Sequence, residues 1–339
     1  MSNPEPLAVI FGCAGPTLSH AERAFFHDAD PEGFILFQRN CDDPDQVRAL
    51  VAALRESIGR VDAPVLIDQE GGRVARLKPP HWPAYPAPAT LAALGGDNAR
   101  DAVWLGARLI ADDLAALGIT VDCVPVLDLP VPGASAVIGD RAYGHRPEPV
   151  ASLGRAAAEG LLAGGVLPVA KHIPGHGRGM VDSHDALPVV SEARDVLETS
   201  DFAPFHALAD LPWAMTAHIV YAAIDPVLPA TLSRRVIDEV IRASIGFDGV
   251  LVSDDLSMRA LGGSFATRVA GALAAGCDLV LHCNGNMTEM TEVAHAAQPL
   301  TPAACARLDR AEQRRRMAAQ PFDRMAAEAR FRALLAGES

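Results

Sequence analysis

The sequence predicts an α/β protein: a single (β/α)8 barrel of the TIM type with a C-terminal helical extension. Three observations predict it. Short apolar runs rich in β-branched residues recur eight times, at 7–12, 33–37, 64–67, 120–127, 166–170, 213–216, 249–252 and 278–281. Each closes on polar or glycine residues and is followed by a helical pattern. Strands that are apolar throughout and alternate with amphipathic helices form parallel sheets covered on both faces, and a count of eight favours closure over an open sheet. The open doubly wound alternative calls for a G-x-G-x-x-G turn after the first strand, where Phe11-Gly-Cys-Ala-Gly15 stands instead.

The helices between the strands carry their own punctuation. Asp43 before Pro44 reads as an N-cap with proline at the first helical position, after which Val47, Leu50, Val51, Leu54 and Ile58 mark one face. Val103, Ala107, Ile110, Leu114 and Leu117 repeat the pattern before the fourth strand, and Ser233 opens a helix marked by Val236, Val240 and Ile241. No linker or low-complexity tract divides the chain, so we expect residues 1–300 to form the barrel and 301–339 an arginine-rich helical extension packed on it.

Composition narrows the function classes. Half of the 339 residues are hydrophobic but only 5% are aromatic, which implies an aliphatic core. Lys and Arg number 29 against 42 Asp and Glu, a balance of −13 that argues against binding a phosphate backbone, which needs a basic face. The six cysteines are scattered without a C-x-x-C pair, as expected of reduced thiols. The N-terminus lacks the basic and apolar regions of a leader, and no apolar run approaches the roughly 18 residues of a spanning helix. These features lead us to expect a soluble cytoplasmic protein with no membrane or nucleic-acid partner.

In a barrel of this kind the reactive groups collect at the C-terminal ends of the strands. Polar clusters fall there: Asp68-Gln-Glu-Gly-Gly-Arg-Val-Ala-Arg76 after strand three, Asp128 and Arg141 after strand four, Lys171-His-Ile-Pro-Gly-His-Gly177 after strand five, and Ser253-Asp254-Asp255 after strand seven. Lys171 and His172 sit where the strand gives out, and the glycines that follow make a pliable loop delivering Asp182 and His184. A spacing of two in extended chain puts both on one face, where the carboxylate can orient the imidazole. Three of the 11 histidines fall between 172 and 184, more than an incidental surface loop would hold. A carboxylate such as Asp254 facing a proton donor suits double displacement at an acetal carbon, although Ser-Asp-Asp alone would equally suit a helix cap.

The strand-five segment together with Asp182-Ser-His184 resembles the signature of family 3 glycoside hydrolases of the β-N-acetylglucosaminidase type. The resemblance extends to Leu36-Phe-Gln-Arg-Asn40, Ile67-Asp-Gln-Glu-Gly-Gly-Arg-Val74, Ile138-Gly-Asp-Arg-Ala-Tyr-Gly144, Met215-Thr-Ala-His218, Pro229-Ala-Thr-Leu-Ser233, the run from Gly246 to Met258, and Ala275-Gly-Cys-Asp278. It implies Asp254 as nucleophile, His184 as general acid/base with Asp182 as its partner, and Asp68, Arg76, Arg141, Lys171 and His172 as the residues holding the sugar. Ile173 and Tyr143 depart from the phenylalanines common at those positions, and both keep the site apolar there. Many relatives acting on β-glucosides draw the acid/base from a second α/β domain. With some 50 residues after the eighth strand, we expect it to come from the barrel. The resemblance implies a small-molecule substrate, a non-reducing terminal β-1,4-linked N-acetylglucosamine on a peptidoglycan fragment, and we expect a monomer that uses no cofactor or metal.

Alternatives stay open at this point. One is a metal-dependent hydrolase using His172, His176, Asp182 and His184 with His218 or Asp254, although Pro174 and Gly175 keep His172 and His176 off any shared helical face. Another is an amino-sugar sensor without catalysis. Within the enzyme reading, the substrate's own acetamido group could attack in place of Asp254. For Asp255 we expect a cap on the following helix, for His176 a stabiliser of the glycine-rich loop, and for His218 and His282 either pocket or core roles.

Overall fold

The computed structural model describes residues 5–183 and 186–337. Eight of its ten strands, β1 (Leu7–Gly12), β2 (Pro31–Leu36), β3 (Val65–Ile67), β4 (Val121–Asp122), β5 (Leu167–Ile173), β7 (Trp213–Thr216), β9 (Val250–Asp255) and β10 (Leu279–His282), are parallel and close into a barrel in the order β1-β10-β9-β7-β5-β4-β3-β2. The remaining two, β6 (Val189–Val190) and β8 (Val220–Tyr221), pair in parallel as a separate ribbon that the sequence patterns did not suggest.

Alternation along each strand decides which layer a side chain joins. Ile10, Ile35, Leu66, Val121, Val169, Val252 and Leu281 fill the barrel interior, while their neighbours Val9, Phe34, Val65, Leu251 and Val280 face the helices. The surrounding helices begin where their caps dictate. In α1 (His20–Ala29) the Ser19 hydroxyl accepts from the Glu22 N–H while the Glu22 carboxylate accepts from the Ser19 N–H, a reciprocal capping box. Asp43 caps α2 (Pro44–Ile58), which ends at Gly59 in the left-handed region. The short α3 (Pro88–Ala92) leads into α4 (Gly96–Ala115), which packs along α5 (Pro147–Ala163). Then come α6 (Arg194–Thr199), α7 (Ala203–Ala207), a wide π-type helix at Val236–Ser244 in place of the expected α-helix after Ser233, α8 (Phe265–Ala275) and α9 (Met287–Ala296).

The last two helices are α10 (Pro302–Ala318) and α11 (Arg324–Ala336). Leu300, Ala304 and Ala311 join the interior cluster from the end of the barrel opposite the strands' C-termini, and Phe331 of α11 lies against Gly106 of α4. All six cysteines are free thiols, five of them buried. Among the described residues no helix is long and apolar enough to cross a membrane.

Strand limits differ from expectation in ways that matter for the site. Regular pairing in β4 covers only two residues, because the Val124 N–H turns back onto the Asp122 carbonyl at 2.8 Å and Pro125 has no N–H to offer the ladder. The chain nevertheless runs on beside β5: Val124 and Pro125 carbonyls accept from the Val169 and Lys171 N–H groups at 2.8 and 3.0 Å, and the Leu127 N–H donates to the Lys171 carbonyl at 2.8 Å. Conversely β5 and β9 each run three residues further than their apolar runs. Lys171, His172, Asp254 and Asp255 therefore lie within strands rather than in loops.

Candidate active site

A cavity of about 330 Å³ opens at the C-terminal mouth of the barrel, a volume at the lower end of small-molecule sites. Its walls bring together Asp68, Arg76, Arg141, Lys171, His172, Asp182 and Asp254, so seven of the eight residues singled out in the sequence share one chamber. The eighth, His184, lies outside the described residues.

The charged wall is built across three strand ends. Lys171, 1% exposed, places its Nζ 2.7 Å from Asp68 Oδ1 and 2.7 Å from Glu70 Oε1. Arg76 reaches Asp68 Oδ2 at 2.9 Å, and Arg141 grips Glu70 with both Nε and Nη2 at 2.8 Å. Burial alone would raise the Asp68 and Glu70 carboxyls, but Lys171 with Arg76 in the first case and Lys171 with Arg141 in the second outweigh it and hold both below the usual carboxylate range. For Lys171 burial works downward and the two carboxylates more than reverse it, so the ammonium stays charged. Glu70, unassigned from sequence, is the residue that ties Lys171 to Arg141.

A second network holds the histidines. Asp128, fully buried, takes the His172 Nδ1 on Oδ2 at 2.7 Å, while its Oδ1 accepts the backbone N–H of His176 at 2.6 Å and of His172 at 3.2 Å. Burial pushes this carboxyl up and the two histidines pull it down further, leaving it below its ordinary value. The arrangement fixes His172 with its Nε2 as the available edge, a role for Asp128 that the sequence marked only as an acid after strand four. His176 makes the loop-stabilising contacts expected of it, with Nε2 3.1 Å from the Ser183 hydroxyl.

Asp254 borders the cavity, its Oδ1 accepting the Asp255 N–H at 2.8 Å. Asp255 does not cap a helix; Ser264 caps α8. Instead its Oδ1 accepts from the Ser257 and Cys283 N–H groups at 3.0 and 3.2 Å, tying the turn after β9 to the end of β10. His218 and His282 serve the core: His218 bonds Thr231 Oγ1 at 2.7 Å and the Asp255 carbonyl at 3.0 Å, and His282 meets Glu289 at 3.2 Å between Phe11 and Phe265. Arg73, also missed, stands at the rim and binds Asp140 at 2.8 Å and the Val137 carbonyl at 2.6 Å, anchoring the loop that carries Arg141. Among the described residues no three His, Cys, Asp or Glu side chains are grouped to hold a metal ion.

Residues 8–316 match the model described as the glycosyl hydrolase family 3 N-terminal domain. The chain belongs to glycosyl hydrolase family 3. Among curated family 3 relatives, a β-hexosaminidase of Alkalilimnicola ehrlichii is 43% identical over 283 residues, covering 81% of this chain and 80% of that one. The solved structure of NagZ from Neisseria gonorrhoeae in complex with N-trifluoroacetyl-D-glucosamine superposes with a TM-score of 0.87 at 31% identity, over 99% of this chain and 100% of that one. A family 3 β-N-acetylglucosaminidase from Paenibacillus sp. str. FPU-7 gives 0.83 at 34% identity; the match covers 93% of this chain, which spans only 62% of the length of that relative. This family 3 chain is a glycoside hydrolase of the β-hexosaminidase type.

Proposed function

We propose that the protein is a retaining exo-β-N-acetylglucosaminidase that removes non-reducing terminal β-1,4-linked N-acetylglucosamine from peptidoglycan fragments, N-acetylglucosaminyl-1,6-anhydro-N-acetylmuramic acid with or without its peptide. It acts as a cytoplasmic monomer in cell-wall recycling. The observation that carries the reading is that Asp254 and Asp182 border one sugar-sized cavity together with Asp68, Lys171 and Arg141, the last two held from behind by Glu70. Asp68 oxygens suit a pair of sugar hydroxyls, and the fixed cations suit hydroxyl and acetamido oxygens.

In the first half-reaction an Asp254 carboxylate oxygen attacks the anomeric carbon, the glycosidic C–O bond breaks, and His184, oriented by Asp182, gives its proton to the leaving oxygen. In the second, His184 takes a proton from water as the water oxygen attacks the same carbon and releases Asp254. Imidazole serves both steps near neutral pH because its ordinary pKa is close to ~6.5. A 2-fluoro-sugar inactivator followed by peptide mapping tests the covalent route: the label belongs on Asp254, and Asp254→Ala should reduce turnover by at least ~10³-fold. An unlabelled enzyme would instead favour attack by the acetamido group.

A further inference from the structure

The segment that carries Asp182 is bound on two sides through its neighbour Ser183, which borders the cavity beside His176. The Ser183 hydroxyl meets His176 Nε2 at 3.1 Å, with both side chains buried. The Ser183 carbonyl accepts the Ala260 N–H at 3.2 Å, from the stretch just beyond Asp254 and Asp255. His176 is itself immobilised. Its N–H is held by Asp128 at 2.6 Å, its ring packs edge-on to His172 with centroids 5.7 Å apart, and a Cβ at Gly179 would stand 3.1 Å from its Cε1.

The charged and titratable groups facing this imidazole are Asp128 from beyond β4, His172 on β5 and Asp254 on β9. Burial and His172 together outweigh the two carboxylates and lower it to about 4, so it is neutral at working pH. Its Nδ1 has no partner among the described residues. An orphaned buried acceptor is tolerated better than an orphaned N–H, which puts the proton on Nε2, donating to Ser183 Oγ.

We infer that His176 and Ser183 are positioning residues for acid/base catalysis, a latch that fixes Asp182, the proposed partner of His184 in the acid/base pair, relative to Asp254. The inference rests on the proposed role of that pair. Latching acts on proton delivery, so its loss falls on substrates whose leaving group needs a proton and spares those with an acidic phenol.

The test is kcat/KM for Ser183→Ala, His176→Leu and the double variant on a methyl and a 4-nitrophenyl β-N-acetylglucosaminide, with Asp182→Ala measured alongside. The expected result is a loss about tenfold greater on the methyl glycoside than on the nitrophenyl one, on the scale of one hydrogen bond. The double variant should be no worse than the poorer single, and His176→Gln, which keeps an N–H donor, should recover most of the loss. Should His176→Leu fail to fold, Ser183→Ala, which removes one oxygen, carries the test. Equal losses on both substrates, or multiplying losses in the double variant, overturn the latch. If Asp182→Ala depends on the leaving group and Ser183→Ala does not, the latch falls and the dyad stands. If neither depends on it, the dyad reading falls and the latch with it.

Discussion

Five side chains, Asp68, Arg76, Arg141 and Lys171 lining the cavity and Glu70 behind them, set two negative against three positive charges. Ion pairs this deep add little net stability over an apolar replacement, but removing one member leaves its partners uncompensated, at a cost of about 3–5 kcal/mol. Glu70 is the sharpest place to see it, because two cations depend on it and its side chain is 1% exposed. Glu70→Gln keeps the shape, loses the charge, and should cost about 3–5 kcal/mol in urea unfolding together with a higher KM as Arg141 and Lys171 drift. Arg73→Ala, which breaks a half-exposed pair with Asp140, should cost under about 1 kcal/mol. Similar losses for the two would contradict this account of the wall. In sequence, Glu70 was visible as one acid in a polar run. Its role was not, because Arg141 lies 71 positions away and Asp128 lies 44 from His172.

At the scale of elements, eight apolar runs, their alternation with amphipathic helices and the polar clusters at strand ends were all legible, because each is written in local periodicity. Strand ends were not. Where β5 stops depends on what β4 and β7 offer alongside it, so the sequence placed Lys171 and His172 just past the strand's end, whereas β5 runs on to Ile173. The β6–β8 ribbon has strands of two residues, too short to leave a pattern, and exists because two loops meet. The glycines of the loop after β5 were read as pliability, whereas Gly177 is an obligate close approach: a Cβ there would stand 2.0 Å from the Leu129 carbonyl oxygen. The same loop is tied down by the Val131 N–H to the Gly177 carbonyl at 3.2 Å and by the Tyr221 hydroxyl to the Gly175 carbonyl. Gly177→Ala must therefore displace the segment leading to Asp182. We expect kcat on a methyl β-N-acetylglucosaminide to fall by at least ~10²-fold, the scale of an ångström-sized misplacement, while circular dichroism shows the barrel still folded. Near-normal turnover would mean that the loop path is not coupled to the chemistry.

For the whole molecule, a chain with 42 acids and 29 Lys and Arg residues responds to pH through the few acids it buries rather than through the balance of −13. Asp68, Glu70 and Asp128 are all held below the ordinary carboxylate range, so the stability they contribute is complete above about pH 4 and is lost as pH falls through their folded-state values. Glu32, at the start of β2 and far from the mouth, is the reverse case. Burial lifts its carboxyl from 4.5 to about 7 despite the Arg60 guanidinium 3.1 Å away. Between those values the unfolded chain releases a proton that the folded chain keeps, so this contribution is whole below 4.5 and disappears as pH rises through 7. Replacing Glu32 with glutamine removes only that alkaline loss. Urea unfolding should therefore show Glu32→Gln gaining about 1–3 kcal/mol relative to the parent on going from pH 5 to pH 8. The parent's acid limb below pH 4 should persist in the variant, because Asp68, Glu70 and Asp128 are untouched. A pH-independent difference between variant and parent would show that Glu32 ionises as readily in the barrel as in the unfolded chain.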